Sequence, residues 1–309
     1  MQGIKILATG RALPQKTVTN DDLSKVVDTS DEWIRTRTGI RQRHFCVEES
    51  CQSLAIEAAE KALERAGIDK REIGTVIVAT ATADHVFPSV ACMVQKALGL
   101  ETEVLAFDLS AACSGFLYGL SVCYSLLLNG RKKYALLIGS EQLSRILDMK
   151  DCSTCVLFGD GAAAAVLTLS ENEYYQKVWS DGDQEALSCE GAGCEHPHIS
   201  MEGKRVFKFA VKVIAQGIDE ILAASGKMET DIDYVICHQA NERIIDHVSR
   251  KYKGLKFYKN MERYANTSAA SIPIALDEMY EQGLLKEGMQ VILVGFGAGF
   301  TWSSALLTI

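Results

Sequence analysis

The sequence predicts an α/β fold built from two similar halves. Three observations carry that prediction. Apolar runs of strand and helical period alternate along the chain. Helix-ending glycines recur at matching spacings, and with only 4 prolines no Pro-rich linker divides the 309 residues.

In chain order, residues 53–65 carry Leu54, Ala55, Ala58 and Ala62 at helical spacing, and Ala66-Gly67 stops that helix. Residues 75–80 are a β-branched apolar run, read as a buried strand; 104–109, 134–139 and 162–169 read as further strands. Residues 116–128 are apolar nearly all round, which predicts a helix buried between sheets or between subunits. Residues 180–202, with Gly182, Gly191 and Gly193, read as a loop between the halves. The plan then repeats: an amphipathic helix at 207–224 ended by Ser225-Gly226, a strand at 233–237, a helix at 271–280 and a strand at 291–295. Nine positions separate Gly67 from Val76 and also Gly226 from Val235. Seventeen separate Cys113 from Gly130 and also Asn266 from Gly283. A duplication with a period of about 150 residues follows, a length typical of one domain, and the halves are set at 1–169 and 170–309. The same alignment puts Cys113 opposite Asn266, each in a turn before a helix. Ligands gather at the carboxyl ends of strands in such sheets, so these two residues are expected at one shared site.

Composition excludes other classes. Hydrophobic residues make up 48% and charged residues 23%, a globular balance. A net charge of −8 argues against binding nucleic acid or an anionic membrane through bulk charge. Lys5 interrupts the short apolar N-terminus, so no secretory signal is read there, and no run of about 18 consecutive apolar residues is found. A cytoplasmic location with reduced thiols is expected for the ten cysteines.

Among these, Cys113 stands apart. It follows a strand and opens a long helix, where the positive end of the helix dipole favours a thiolate. Its small neighbours Ala111, Ala112, Ser114 and Gly115 leave room for a substrate. His238 directly follows an apolar strand, in His238-Gln239-Ala240-Asn241. Asn266 precedes a helix and suits an N-cap. The loop Gly295-Phe296-Gly297-Ala298-Gly299-Phe300 offers backbone N–H groups to an oxyanion. Cys152-Ser153-Thr154-Cys155 lacks a second ligand pair for zinc, and Cys189, Cys194, His196 and His198 form a weaker metal-ligand set, so no metal is expected.

Ala112-Cys113-Ser114-Gly115-Phe116, His238-Gln239-Ala240-Asn241, the run 266–271 and Gly297-Ala298-Gly299-Phe300-Thr301-Trp302 stand in that order. With Asp31-Glu32-Trp33-Ile34, Arg37-Thr38-Gly39-Ile40, Phe87-Pro88-Ser89 and Phe158-Gly159-Asp160-Gly161-Ala162, the chain resembles the β-ketoacyl-acyl carrier protein synthase III family over nearly its whole length. The resemblance implies a thiolase-like fold, two pseudo-symmetric α/β halves in five layers, and a homodimer. It implies acyl transfer from acyl-CoA to Cys113, then decarboxylative condensation with malonyl-acyl carrier protein, with no cofactor beyond the CoA substrate. His238 and Asn266 would complete the catalytic set, and the backbone N–H groups of Cys113 and Ala298 the oxyanion hole. Trp33 and Arg37 would hold CoA, Phe87 would line the partner's acyl pocket, and Lys208 with Gln239, Ala240, Asn241, Glu242 and Arg243 would meet the carrier protein. Lys212, Arg250 and Lys251 could extend that basic face. The chain departs from the family's pattern at Cys152, where an Arg is common, at Ala265 and Ala298, where Gly is usual, and in a shorter 180–202 segment. A related condensing enzyme with another acyl starter, a Cys-His-Asn thioester hydrolase, and a zinc or redox module are the alternatives.

Overall fold

The structure is a computed structural model and describes residues 2–130, 132–191 and 197–309. Two five-stranded sheets form its frame. The first contains β1 (Gly3–Ala12), β2 (Ile73–Ala79), β3 (Leu105–Leu109), β4 (Tyr134–Glu141) and β5 (Gly161–Ser170), in the order β1-β5-β4-β2-β3. The second contains β6 (Tyr175–Asp183), β7 (Tyr234–Cys237), β8 (Phe257–Tyr258), β9 (Gln290–Gly297) and β10 (Gly299–Thr308), in the order β6-β10-β9-β7-β8. Both orders are the same pattern. In each sheet the first two pairings are antiparallel and the last two parallel.

Strand alternation explains the layering. In β2 and β4, Val76, Val78, Leu136 and Ile138 point to one core, which includes Leu54, Ala55, Ala58 and Ala62 of helix α1 (Cys51–Ala66). Ile77 and Leu137 point the other way, into a second core with Phe116, Leu117 and Leu120 of α2 (Gly115–Asn129). Ile236, Leu293 and Leu307 of the other sheet enter that same core from the far side, with Ile272, Leu276 and Met279 of a helix at Ser271–Glu281. Val235, Ile292, Val294 and Leu306 face outward against Val213, Ile214, Ile218 and Ile221 of α3 (Gly203–Ser225) and Ile244 of α4 (Glu242–Ser249). With the Ser271–Glu281 helix as α5, the result is five layers: α1, sheet, α2 with α5, sheet, α3 with α4. Such two-sided burial requires the apolar runs read as strands.

Gly67 and Gly226 both take left-handed caps, at φ +59° and +67°, which is why a glycine ends each helix. The stretch read as an inter-half loop is different. Residues 175–183 form edge strand β6, and Leu187–Ser188 pairs with Ser200–Met201 in a small separate ladder. Edge strand β6 alternates poorly and is largely exposed, so it carried no strand period. The structure adds the N-terminal strand, the C-terminal strand and a helix at Asp31–Thr38. The 18 residues from Ala112 to Asn129 are helical and apolar enough to span a membrane by length and composition, with mean hydropathy 1.3; half of that stretch is buried in the central layer.

Gly139 in β4 lies against Ala269, where an added Cβ would overlap the Ala269 carbonyl oxygen. Gly139→Ala is therefore expected to lose about 1–3 kcal/mol of stability by overpacking, read as a lower urea midpoint at unchanged slope.

Candidate active site

After β3 the chain turns through Ser110 and Ala111 into a 3-10 turn, Ala112–Ser114, that continues into α2. Ala112 sits at φ +44°, in the left-handed region where a small side chain is least penalised. Gly297, at the end of β9, presses on this turn. A Cβ there would lie 2.8 Å from the Cys113 nitrogen and 2.9 Å from its Cβ. Ser114 Oγ also donates to the Thr301 carbonyl at 2.8 Å, tying the turn to the 297–301 hairpin. The glycines of that hairpin thus serve close backbone approach.

His238 follows β7, and its N–H continues the ladder to Val294 O at 2.8 Å. The ring stands edge-on to Phe296 with centroids 5.1 Å apart. Asn266 is reached through Ala265 at φ +57°, in the left-handed region that favours glycine. The Asn266 N–H donates to Leu157 O at 2.9 Å, and its Oδ1 accepts the Ser268 N–H at 2.9 Å. The Asn266 carbonyl oxygen being engaged, its amide nitrogen is the group left to donate.

These turns bring Cys113, His238 and Asn266 onto the wall of one cavity of about 140 Å³, with Phe207, Phe209 and Phe300. A second cavity, about 550 Å³, also reaches Cys113; Thr82, Leu143, Ile146, Ile199, Ser268 and Ala298 line it. The thiol is therefore the meeting point of two apolar-walled spaces. Ala298 joins Cys113 on the second.

The electrostatics differ from the dipole argument. Burial pushes the Cys113 thiol up to about 12, against a smaller opposite pull from the Ser268 hydroxyl, and the nearby Glu141 carboxyl adds to the rise. Burial overrides the helix end because the thiolate has lost its water. Burial likewise pulls His238 down to about 3, so its imidazole is neutral at pH 7. The ring Nδ1 meets Ser271 Oγ at 2.7 Å, and that oxygen also lies 3.4 Å from the Gln239 N–H. A Ser271 hydroxyl that accepts from Gln239 and donates to Nδ1 leaves the His238 proton on Nε2. Ser271 stood in the sequence motif without a role; its signal was position, five residues after Asn266.

Family models for 3-oxoacyl-[acyl-carrier-protein (ACP)] synthase III match residues 107–182, and for its C-terminal part residues 222–309. The chain is 46% identical to a β-ketoacyl-[acyl-carrier-protein] synthase III from Clostridium tetani (strain Massachusetts / E88), over 98% of each chain. It superposes on the crystal structure of 3-oxoacyl-[acyl-carrier-protein] synthase III from Aquifex aeolicus VF5 with TM-score 0.94 and 42% identity, covering 99% of this chain and 100% of that one. The priming β-ketosynthase of the R1128 polyketide biosynthetic pathway gives TM-score 0.93 at 32% identity, covering 99% and 96%. The chain belongs to the β-ketoacyl-[acyl-carrier-protein] synthase III family. Its fold is thiolase-like.

Within that family frame the substrate-contact expectations fare unevenly. Trp33 and Arg37 are both exposed on the Asp31–Thr38 helix, one turn apart. The Arg37 guanidinium already lies 5.7 Å from the Trp33 ring centre. The Arg37 carbonyl accepts from Asn241 Nδ2 at 3.1 Å, and Asn241 lines the smaller cavity, so this pair stands beside its mouth. Cys152 is half-buried against the core near Ile146 and Met149, and supplies no cation there.

The carrier-facing segment needs correction. Gln239 is 1% exposed, and its amide donates to Cys237 O and accepts from Asn260 N inside the protein. Glu242 pairs with Lys259 at 2.5 Å and would repel an acidic partner. Asn241 caps α4, and Ala240 lines the smaller cavity. Arg243 and Lys208 are exposed, and among the described residues neither meets a carboxylate. Lys251 pairs with Asp219 at 2.5 Å. Of the weaker metal set, Cys194 and His196 lie outside the described residues; the Cys189 thiol donates to Pro197 O at 3.3 Å. Among the described residues no His/Cys/Asp/Glu cluster could hold a metal ion.

The unfolded chain takes up a His238 proton near pH 6.5, while the folded chain does so only near 3. The contribution of His238 to stability is thus fully present above 6.5 and is lost as pH falls towards 3. His238→Asn is expected to flatten the fall of Tm over that window; a fall as steep as in the wild type would contradict the neutral buried imidazole.

Proposed function

We propose that this chain is a β-ketoacyl-acyl carrier protein synthase III that loads an acyl group from acyl-CoA onto Cys113 and condenses it with malonyl-acyl carrier protein, initiating fatty acid synthesis. The observation that carries the reading is the placement of one thiol where two cavities meet, with a neutral imidazole and a free amide on the same wall. One space suits the thioester arm and the other the acyl chain.

The Cys113 thiolate attacks the thioester carbonyl and CoA leaves, giving an acyl-enzyme in ping-pong order. The Cys113 and Ala298 backbone N–H groups stabilise the oxyanion of that step. Malonyl thioester then loses CO₂, and the charge moves to the thioester oxygen. His238 Nε2–H and the Asn266 amide both donate to it. The Asn266 and His238 orientations are fixed beforehand by Ser268 and Ser271, so little reorganisation is needed. The carbanion attacks the acyl-Cys113 carbonyl and frees the thiol. The chemistry calls on no cofactor. Residues 1–169 supply the nucleophile and residues 170–309 the donors.

The working unit is a homodimer in the cytoplasm. Val86 and Phe87 are 86% and 83% exposed, next to an apolar edge strand that ends the first sheet at Leu105, itself 49% exposed. A second copy would cover this surface and receive Phe87 into its acyl pocket. Arg37 serves the CoA phosphates, Trp33 the adenine, and Arg243 with Lys208 the acidic carrier. The likeness to a priming ketosynthase favours one second reading, the same reaction on another starter. A panel of acyl-CoAs, read as mass added to Cys113, separates the two.

Cys113→Ala is expected to form no acyl-enzyme at all. His238→Ala and Asn266→Ala are expected to acylate normally but to release CO₂ from malonyl thioester at least ~100-fold more slowly, the cost of a lost oxyanion donor. Equal loss in both half-reactions, measured separately, would overturn this division of roles.

A further inference from the structure

Cys152 and Cys155 take no part in the site described above, yet the backbone brings them together. Residues 151–155 form one helical turn: the Cys155 N–H donates to Asp151 O at 3.0 Å, and the Thr154 N–H to the same oxygen at 3.2 Å. The Asp151 carboxylate caps this turn, accepting the Ser153 N–H at 2.9 Å and the Ser153 and Thr154 hydroxyls, each at 2.6 Å. Positions three apart on a helical turn share a face, with Cα atoms about 5 Å apart. That spacing falls inside the roughly 4.4–6.8 Å that disulfides span. Cys152 is half-buried and packs against the cluster that contains Cys155, itself 0% exposed. Beside them stands Arg43, also 0% exposed. Its guanidinium donates to the Val18 and Val156 carbonyls at 3.3 and 2.9 Å and to Asn20 Oδ1 at 2.8 Å. Its Nε has no partner, and among the described residues no carboxylate meets it. The acid whose charge acts on it is Cys155. A reachable thiol, a buried thiol and a buried cation without a carboxylate thus meet at one turn.

We propose that Cys152 and Cys155 are a redox pair, and that their disulfide displaces Asn266. The bond itself is independent of the proposed reaction; its effect on the site rests on the reading of Asn266 as an oxyanion donor. The oxidant is a low-molecular-weight disulfide. The Cys152 thiolate attacks one of its sulfurs, forming a mixed disulfide and expelling one thiolate. The Cys155 thiolate then attacks the Cys152 sulfur, forming the Cys152–Cys155 bond and expelling the second. Two protein thiols lose two electrons, the small disulfide gains two, and the two protons leave on the expelled thiols. The order follows from exposure. Burial pushes the Cys155 thiol up to about 11, with Cys152 and Asp151 adding to the rise and Arg43 opposing it. The buried thiol therefore waits protonated until a neighbouring mixed disulfide is offered, and Arg43 then steadies its thiolate.

The turn leads straight to the site. Val156 follows Cys155, held by Arg43 through its carbonyl, and the next carbonyl, that of Leu157, accepts the Asn266 N–H at 2.9 Å. The Gly159 N–H in turn donates to Asn266 O at 3.0 Å. Leu157 and Phe158 share one cavity wall with Cys113, His238 and Asn266. A disulfide needs Cβ atoms about 3.5–4.5 Å apart, against the about 5–6 Å of an open helical turn. Closing the bond draws the turn in by about 1–2 Å, and Val156 alone separates it from the residue that holds Asn266.

The test treats the full chain with glutathione disulfide at several ratios to glutathione. Free thiols are then blocked with N-ethylmaleimide in denaturant, and the tryptic peptide 151–177, whose only cysteines are these two, is weighed. It is expected to pass from two maleimide groups to none, two hydrogens lighter than the reduced peptide. Cys155→Ser is expected to keep glutathione on Cys152, and Cys152→Ser to leave Cys155 free to be blocked. A wild-type peptide that stays doubly blocked while glutathione adds to the exposed Cys92, or that ends as a stable glutathione adduct, overturns the pair. The effect on the site is read on acyl-enzyme, in which Cys113 is shielded from the oxidant, as CO₂ released from malonyl thioester in one turnover. Oxidation is expected to slow that release about 10- to 100-fold, the scale of a group misplaced by about 1 Å. Dithiothreitol must restore the rate, and the same oxidant must leave Cys152→Ser unaffected. An unchanged rate in chains whose peptide is oxidised overturns the coupling to Asn266. No acyl-enzyme, or no CO₂ from the reduced acyl-enzyme, would overturn the proposed function, while the peptide masses still judge the pair.

Discussion

Backbone-to-backbone contact at glycine sets the positions of Cys113 and Asn266. Gly297 lies so close to the Cys113 nitrogen that any side chain there would displace the Cys113 turn. Gly139 lies as close to Ala269, just after Ser268, and Gly159 approaches the Tyr264 carbonyl just before Asn266. Gly115 leaves room for the Ala79 and Ala269 methyl groups, which an added Cβ would meet at 3.0 and 3.4 Å. The Cys113 turn and the Asn266 turn are thereby packed together through glycine and alanine positions. Packed interiors deform little, so the distance between thiol and amide is set by backbones rather than by flexible side chains.

The parts of the fold that could be read in the sequence are those whose pattern is forced by burial on both sides. Strands β2, β4, β7 and β9 lie between helical layers and show continuous apolar runs. Helix α2, covered by both sheets, is apolar nearly all round for the same reason. Strand β6 escaped notice because half its surface meets solvent, and its polar residues mimic a loop. Cys113 and His238 could be picked out because each follows an apolar strand, and Asn266 because it opens a run of small residues before a helix. Ser271 could not. Its importance lies in what it faces across the fold, the His238 ring, 33 residues away. Within residues 239–243 sequence neighbours do not share one surface, because the turn from β7 into α4 sends Gln239 inward and Arg243 outward.

Burial also decides how charge is handled. Cys113 and His238 are at most 8% exposed, so a thiolate or an imidazolium would lie in a poorly solvated place. The same condition that holds the thiol protonated makes hydrogen-bond donors effective once charge appears on a thioester oxygen, because no water competes for it. A neutral Nε2–H and a neutral amide are then well matched to the task. In the proposed reaction they would stabilise a transient negative charge without a resident positive charge to hold the malonyl carboxylate in place. That carboxylate would leave as CO₂, and a cationic imidazole would stabilise it in the ground state as well as the enolate that follows. Only stabilisation that grows between those two states accelerates the step. A buried, uncharged histidine whose proton is steered by a serine therefore favours decarboxylation more selectively than an exposed, titrating one.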